Sequence, residues 1–323
     1  MVPTIGKPVS FRCGSCLLYG TLHYPPYETP LADTGIILLN PGPTDRSGPH
    51  RLYVKLSTIL SAQGYPVLRF DARGVGESEG EWDDGIEGAT VLELWKKIQL
   101  GVWVPDTFAA IDFMLKKVPG VKRVILGGLC GGAITALLAG SKHPLVEGLL
   151  MMGTPITLAD RTANVEDLPE ETIRKETRQL FRKFLSPSAW FRFLTFETDY
   201  RTNMTILRVR VRRTIGTNGK IRNNGACGKL NPHFLDCFKV ASESAKRMIF
   251  VYAENDYLWH EFKEYFLAVN QQTALSPFKL ATIQKSNHNM TEDVWQEQLF
   301  HIVTHWLTEY FNSPHLEVDQ KIP

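Results

Sequence analysis

The alternation of short apolar runs with helix-like periodicity is the feature that most constrains the fold of this chain. Such runs recur along the sequence, and amphipathic stretches separate them. Strands and helices that alternate in this way predict an α/β fold, with a largely parallel sheet covered by helices on both faces. The predicted strands cover residues 35–39, 65–70, 121–126, 146–152, 247–253 and 278–283, and the predicted helices cover residues 50–62, 106–117, 131–142, 259–269 and 291–311.

Two segments depart from this alternation. Residues 9–24 are interrupted by Cys13-Gly-Ser-Cys16 and are typical of an antiparallel hairpin at a sheet edge. Residues 155–245 carry mixed helical patterns without a buried strand of the same type. The sequence therefore predicts a core formed by residues 1–154 and 246–323, with residues 155–245 inserted as a cap over the functional edge of the sheet.

Composition limits the location and the partners of the protein. The 323 residues carry a formal net charge of +2, which gives no reason to expect nucleic acid as a partner. The longest apolar stretch, Val124 to Gly140, is too short and too rich in glycine to cross a bilayer. An odd number of cysteines, five, without a visible secretory signal favours free thiols in a reducing compartment. We expect a cytoplasmic protein without a membrane span, and a homodimer is compatible with the sequence.

The strongest chemical signal is Gly128-Leu-Cys-Gly-Gly132, which directly follows a predicted buried strand and opens a helix of small residues. This is the arrangement of a nucleophile elbow, with Cys130 at the position of the nucleophile. Glycines two positions before and after Cys130 remove side chains that would collide in so sharp a turn. The helix N-terminus favours a thiolate and a developing oxyanion.

A second segment, Gly76-Glu-Ser-Glu-Gly80, matches the same motif letter for letter. No apolar helix begins at Ser78, and seven acids without a base lie between Glu77 and Glu93. Their negative charge opposes the formation of a serine alkoxide. We therefore expect Ser78 to be a loop residue.

A nucleophilic cysteine needs a base and an acid that orients the base. His288 lies between the last predicted strand and the last helix, and Asn289 with Glu292 resembles a capping box that would start that helix. Asp256 follows the predicted strand 247–253, and Glu254 is the lesser candidate for the same role. The order Cys130, Asp256, His288 is the nucleophile–acid–base order of α/β-hydrolases.

Most of the chain resembles an α/β-hydrolase with a cap insertion. The resemblance is carried by Asn40-Pro-Gly-Pro-Thr44, by Asp71-x-Arg-Gly-x-Gly-x-Ser78, by the cysteine elbow and by the loops of Asp256 and His288. The elbow and the run from Pro41 to Tyr53 are similar to a narrower group, the exosortase A system-associated hydrolases and related cysteine-elbow enzymes of biosynthetic clusters. The resemblance implies an oxyanion hole that uses the Gly131 N–H. Its second donor would come from Gly42 or Thr44, because Pro43 has no N–H.

These residues predict nucleophilic acyl transfer. His288 would deprotonate Cys130, Asp256 would hold the imidazole, and an acyl-cysteine thioester would form. The resulting activity is that of an esterase or thioesterase acting on a small acyl substrate. The same residues could serve acyl transfer, cyclisation or carbon–carbon bond cleavage, and a non-catalytic binding protein on this fold is the alternative from another class.

Weaker features remain open at this stage. Trp190 and Phe193 either line an acyl pocket or form the core of the cap. The segment from Arg201 to Arg222 holds seven basic residues and no acid, so it either binds an anionic carrier, such as coenzyme A or a carrier protein, or faces water and acidic residues. The Cys13–Cys16 pair and the i, i+4 pair His301 and His305 lack further ligands, so we expect no metal and no cofactor.

Overall fold

The computed structural model describes residues 6–81, 91–158, 230–268 and 278–311. Eight strands form one sheet, flanked by helices. The strands are β1 Gly6–Cys13, β2 Cys16–His23, β3 Thr34–Leu39, β4 Val67–Phe70, β5 Arg123–Leu129, β6 Val146–Met152, β7 Arg247–Ala253 and β8 Lys279–Ile283. The helices are α1 Leu52–Ala62, α2 Val91–Gln99, α3 Val104–Lys117, α4 Gly131–Gly140, α5 Pro232–Glu243, α6 Tyr257–Glu261, continued by a π-helical turn at Phe262–Leu267, and α7 Asp293–Phe311.

The sheet has the strand order β1-β2-β4-β3-β5-β6-β7-β8. Strands β1 and β2 form the predicted edge hairpin, and β2 pairs antiparallel with β4. All other neighbours are parallel. The predicted α/β fold with a mostly parallel sheet is therefore confirmed, and each predicted strand is present within a few residues of its expected bounds.

Helices cover both faces of the sheet because successive strand residues point to opposite sides. In β3, Ile37 and Leu39 belong to one buried cluster, with residues of α3, α4 and α5. Ile36 and Leu38 belong to the other, with residues of α1 and α7. The result is a three-layer α/β/α arrangement, and the carboxyl ends of the parallel strands share one edge.

Helix α5 lies inside residues 155–245, which the sequence assigned to the cap, yet it packs in the core. Asn231 caps its N-terminus by accepting a hydrogen bond from the His233 N–H, and Pro232 occupies the first turn. Phe234 and Phe238 are buried and contact Phe250 of β7, the first ring edge-on and the second tilted. The correction is that residues 232–243 form part of the core.

The two ends of the insertion meet at the sheet. An antiparallel bridge pairs Thr157 with Leu230, so the chain leaves the core and returns to it at adjacent points. The predicted pocket residues Trp190 and Phe193, and the basic segment 201–222, lie outside the described residues.

Within the described ranges, no single helix is long and apolar enough to cross a membrane. The bent pair formed by α2 and α3 reaches the required length and apolarity only when its two helices are taken together.

Candidate active site

The turn between β5 and α4 places Cys130 in strained backbone geometry. Its φ is 54° and its ψ is −111°, a combination that residues other than glycine rarely adopt. The Cys130 N–H donates to the Met152 carbonyl of the neighbouring strand at 2.8 Å. The elbow is thereby fixed to the carboxyl edge of the sheet, with the side chain partly exposed there.

Glycines on either side of Cys130 are required by close backbone contacts. A Cβ atom on Gly128 would lie 2.6 Å from the carbonyl carbon of Gly132. A Cβ atom on Gly132 would lie 2.3 Å from the carbonyl oxygen of Leu39. Neither glycine has a positive φ, so the absence of a side chain, rather than backbone freedom, is what the turn demands here.

A buried tyrosine connects the two strands beneath the elbow. The Tyr53 hydroxyl donates to the Leu39 carbonyl at 2.9 Å and accepts from the Leu129 N–H at 2.7 Å. Strands β3 and β5 diverge at this point, and the hydroxyl satisfies the two backbone groups that the ladder leaves unpaired. Helix α1 thus holds the residue that immediately precedes Cys130.

Replacing this tyrosine by phenylalanine would leave both backbone groups buried without a partner. We expect Tyr53→Phe to lower the free energy of unfolding by about 1–3 kcal/mol, measured by urea denaturation. Ser57→Ala is the matched control, because the buried Ser57 hydroxyl of the same helix has no hydrogen-bond partner within the described part of the chain. Equal stabilities for the two variants would contradict the role given to Tyr53.

The structure brings His288 and Asp256 into direct contact. The His288 Nδ1 lies 2.5 Å from the Asp256 Oδ2, and the other carboxylate oxygen of Asp256 accepts the Leu258 N–H at 3.2 Å as the cap of α6. Asp256 is 3% exposed. Its carboxylate is therefore held in place by a helix N-terminus while it orients the imidazole.

The electrostatic surroundings of His288 favour its protonated form. Burial of the imidazole lowers its pKa, but the hydrogen bonds to Asp256 and Cys130 and the electrostatic interactions with these two residues outweigh burial and raise the pKa of His288 to about 10. An imidazolium between a carboxylate and a thiolate is the arrangement that activates a cysteine nucleophile.

Gly153 forms the surface against which the imidazole rests. Its φ is 52°, and a Cβ atom at this position would lie 3.2 Å from the His288 Cε1. The carboxyl end of β6 thus leaves room for the ring only because residue 153 has no side chain.

Glu254, the alternative orienting acid, has a different role. Its carboxylate accepts the Lys285 N–H at 2.6 Å, and the Asn255 N–H donates to the Ser286 carbonyl at 3.0 Å. These bonds join the loop of Asp256 to the loop of His288. Helix α7 begins at Asp293, so the capping box expected from Asn289 and Glu292 is not formed.

The Gly131 N–H, which the resemblance implied as an oxyanion donor, is bonded within the protein. It donates to the Pro41 carbonyl at 2.8 Å and is therefore not free to receive an oxyanion in this conformation. Gly42 is buried under the indole of Trp95, since a Cβ atom on Gly42 would lie 2.7 Å from the ring. Thr44 is exposed, and its carbonyl accepts from the Asn40 side chain at 2.9 Å.

The loop from Asn40 to Arg46 is anchored at both ends by the adjacent residues Asp71 and Ala72. Asp71 accepts the Arg46 N–H at 2.6 Å and forms an ion pair with the Arg46 guanidinium. At the other end, the Asn40 side chain accepts the Ala72 N–H at 2.8 Å. The Asp71 segment that resembles a hydrolase motif therefore serves to position this loop.

Comparisons with known proteins agree with the fold described above. The family model of the serine aminopeptidases, S33, matches residues 33–189. An esterase of Pyrococcus furiosus superimposes with a TM-score of 0.57, at 16% identity over 96% of this chain and 94% of that one. A dienelactone hydrolase of Anabaena variabilis superimposes with a TM-score of 0.56, at 12% identity over 96% of this chain and 100% of that one. The chain has the α/β-hydrolase fold.

Sequence similarity to a curated protein is more limited. A segment of 98 residues is 30% identical to an uncharacterised protein of Rickettsia prowazekii, which corresponds to 30% of this chain. The match spans about a third of that relative's own length, 35%. A putative α/β-hydrolase of Agrobacterium tumefaciens shares the fold at 14% identity, with a TM-score of 0.53 over 95% and 98% of the two chains.

This chain carries a cysteine at its elbow, whereas the family whose model matches it is named for serine enzymes. Ser78, in the segment Gly76–Gly80 that matches the same motif, lies in a loop and connects that loop to strand β2. Its hydroxyl donates to the Asp71 carbonyl at 2.6 Å and accepts the Tyr19 N–H at 2.9 Å. The prediction that Ser78 is a loop residue agrees with these bonds.

The remaining candidate ligands are structural or exposed. Cys13 and Cys16 face each other across the hairpin turn, and burial followed by the neighbouring Asp106 raises the pKa of Cys13 to about 11. A raised pKa disfavours the thiolate that metal binding or redox chemistry requires. His301 and His305 are exposed on α7, and the described residues contain no group of three metal-ligating side chains.

Three residues near Cys130 were not identified from the sequence. They are Tyr53, Trp95 and Gly153. Trp95 lies on α2, a helix that was not predicted from the sequence. The available signal was the helical spacing of Leu94, Trp95 and Ile98, next to the acidic stretch Glu77–Glu93. Tyr53 and Gly153 act through backbone contacts between distant segments, which have no signature in the sequence.

Proposed function

We propose that this protein hydrolyses an ester or thioester bond through an acyl thioester on Cys130. The observation that carries the proposal is the contact of His288 with Asp256 beside Cys130, at the carboxyl edge of the parallel sheet. Ligand sites in open α/β sheets occupy this edge. The esterase and the dienelactone hydrolase with the same fold support cleavage of an ester bond.

The reaction would proceed in two halves. The Cys130 thiolate attacks the carbonyl carbon, so that a sulfur–carbon bond forms and an electron pair moves to the oxygen. Collapse of this intermediate breaks the bond to the leaving group, which takes the proton of His288. Water then gives a proton to His288 as it attacks the thioester, and the acid departs as the thiolate and its protonated histidine partner are restored.

Transfer to another acceptor is the second candidate, and the cysteine favours it. A thioester intermediate reacts with amines and thiols as well as with water. Cyclisation or carbon–carbon bond cleavage in a biosynthetic pathway would start from the same nucleophile. The acyl group would belong to a small molecule or to a carrier such as coenzyme A or a carrier protein, and the free thiols at Cys13, Cys16 and Cys237 support a reducing, cytoplasmic location.

Intact-protein mass spectrometry after brief exposure to a panel of activated esters and acyl thioesters tests the proposal. We expect a transient acyl adduct on the wild-type protein and none on Cys130→Ala. Adding amines or thiols then separates hydrolysis from transfer, because only transfer yields an acylated acceptor. An adduct that persists in Cys130→Ala, or no adduct with any donor, would contradict the assignment of Cys130.

A further inference from the structure

The bond between the Gly131 N–H and the Pro41 carbonyl occupies the position where a reaction oxyanion would be stabilised. The two atoms lie 2.8 Å apart, within the ordinary range of a hydrogen bond. Gly131 directly follows the nucleophile, and its amide belongs to the first turn of α4. The structure therefore shows a site whose first oxyanion donor is taken by a carbonyl of the protein itself.

We propose that the Pro41–Gly42 peptide flips when an acyl donor binds, and that this flip assembles the oxyanion hole. The inference rests on the function proposed above and extends it to the residues of this site. Rotation of one peptide plane by about half a turn removes the Pro41 carbonyl from the Gly131 N–H. The same rotation directs the Gly42 N–H toward the carbonyl oxygen bound at Cys130, so that one movement supplies both donors.

The dipeptide at this position is suited to such a rotation. A peptide flip changes ψ of the preceding residue and φ of the following residue in opposite senses, as between type I and type II turns. Pro41 tolerates both values of ψ because its ring fixes only φ. Gly42 has no positive φ in the observed state, and the flip would give it one, which glycine adopts at little cost.

The surrounding contacts hold the loop at its ends, so a rotation of this one peptide need not displace the rest of the loop. Asn40 is bonded to Ala72, and Arg46 is bonded to Asp71, so the ends of the loop are fixed to the adjacent segment. Within the described part of the chain, the Gly42 N–H has no hydrogen-bond acceptor. The Trp95 ring covers Gly42 and Gly131. It therefore shields from water the closed state, in which the Pro41 carbonyl accepts the Gly131 N–H.

Two reactions of the Cys130 sulfur distinguish the closed state from the open state, in which the Pro41–Gly42 peptide has flipped. Acylation by 4-nitrophenyl acetate forms an oxyanion and therefore needs the assembled oxyanion hole. Alkylation by iodoacetamide forms a sulfur–carbon bond with loss of iodide and builds no oxyanion at a carbonyl. A residue that blocks the flip should slow the first reaction and spare the second, with Cys130 followed separately by peptide mapping.

Gly42→Ala, made together with Trp95→Leu, blocks the flip without a clash against the indole. Alanine resists a positive φ, so we expect acylation at least about tenfold slower than in Trp95→Leu alone. We expect alkylation of Cys130 to change less than about twofold, which also reports that the elbow is still folded. Equal acylation rates in the two variants would overturn the flip and leave the proposed function intact.

A crystal structure of the wild-type protein treated with an aliphatic aldehyde provides the direct view. The thiolate adds to the aldehyde, and the oxygen takes a proton from His288 to form a hemithioacetal. We expect the Gly131 and Gly42 N–H groups to donate to that oxygen, with the Pro41 carbonyl turned away. A Pro41 carbonyl still bonded to Gly131 would overturn the inference. Alkylation without acylation by any donor would instead refute the proposed function, and the flip with it.

Discussion

Asp256→Asn is expected to lower the rate of acylation of Cys130 by about 10³–10⁴-fold at neutral pH. The Asp256 carboxylate lies 2.5 Å from the His288 imidazole and is one of the two groups whose interactions raise the pKa of His288 to about 10. An amide removes that charge, so burial, which lowers the pKa of His288, would then dominate. The imidazole would lose its proton near neutral pH, and the thiolate would lose its cationic partner.

The direction of the pH dependence follows from the raised pKa. A histidine with an unperturbed pKa of about 6.5 that rises to about 10 on folding stabilises the folded protein fully below pH 6.5. That contribution is lost as the pH rises through about 10. In Asp256→Asn the loss should occur at lower pH. Urea denaturation of the two proteins, measured from pH 5 to pH 11, would report the shift.

Glu254→Gln is the matched control for this variant. Glu254 belongs to the same loop as Asp256, but its carboxylate accepts the Lys285 N–H, which an amide oxygen can also do. We expect its acylation rate and pH profile to remain close to those of the wild-type protein. If both variants lost activity equally, the effect would come from the loop as a whole, and Asp256 would lose its assigned role.

Gly132→Ala is expected to have the largest effect on stability, at least about 3 kcal/mol in the free energy of unfolding. The added Cβ atom would lie 2.3 Å from the Leu39 carbonyl oxygen, and a backbone atom cannot move aside as a flexible side chain can. The same carbonyl accepts the Tyr53 hydroxyl, so the strain would spread to the support beneath Cys130. Urea denaturation would measure the loss.

Gly127→Ala is the control for this experiment. Gly127 lies on the same strand, but a Cβ atom there would meet the Leu150 side chain, with its nearest atom at 3.1 Å. We expect a change of about 1 kcal/mol or less, since only a small adjustment of packing is needed. A Gly132→Ala protein as stable as Gly127→Ala would show that the elbow tolerates a side chain at this position.

The sequence by itself determined the elements whose pattern is local. Buried strands, amphipathic helices and the glycines around Cys130 are each set by neighbouring residues, and the structure has each predicted strand and helix close to its expected bounds. Helices α2 and α5 were not predicted. The candidate base and acid could also be selected, because Asp256 and His288 directly follow predicted strands. Parallel strands bring their carboxyl ends to one edge, so residues after them converge.

Only the tertiary structure decided the features that depend on contacts between distant backbone segments. Helix α5 belongs to the core because Phe234 and Phe238 find Phe250, although its position in the chain suggested a cap. The Gly131 N–H is taken by the Pro41 carbonyl, ninety residues earlier in the chain. Every residue has an N–H or a carbonyl of this kind, so residue identity cannot indicate which ones will pair. The bonding of the Gly131 N–H was therefore decided by how the two loops meet.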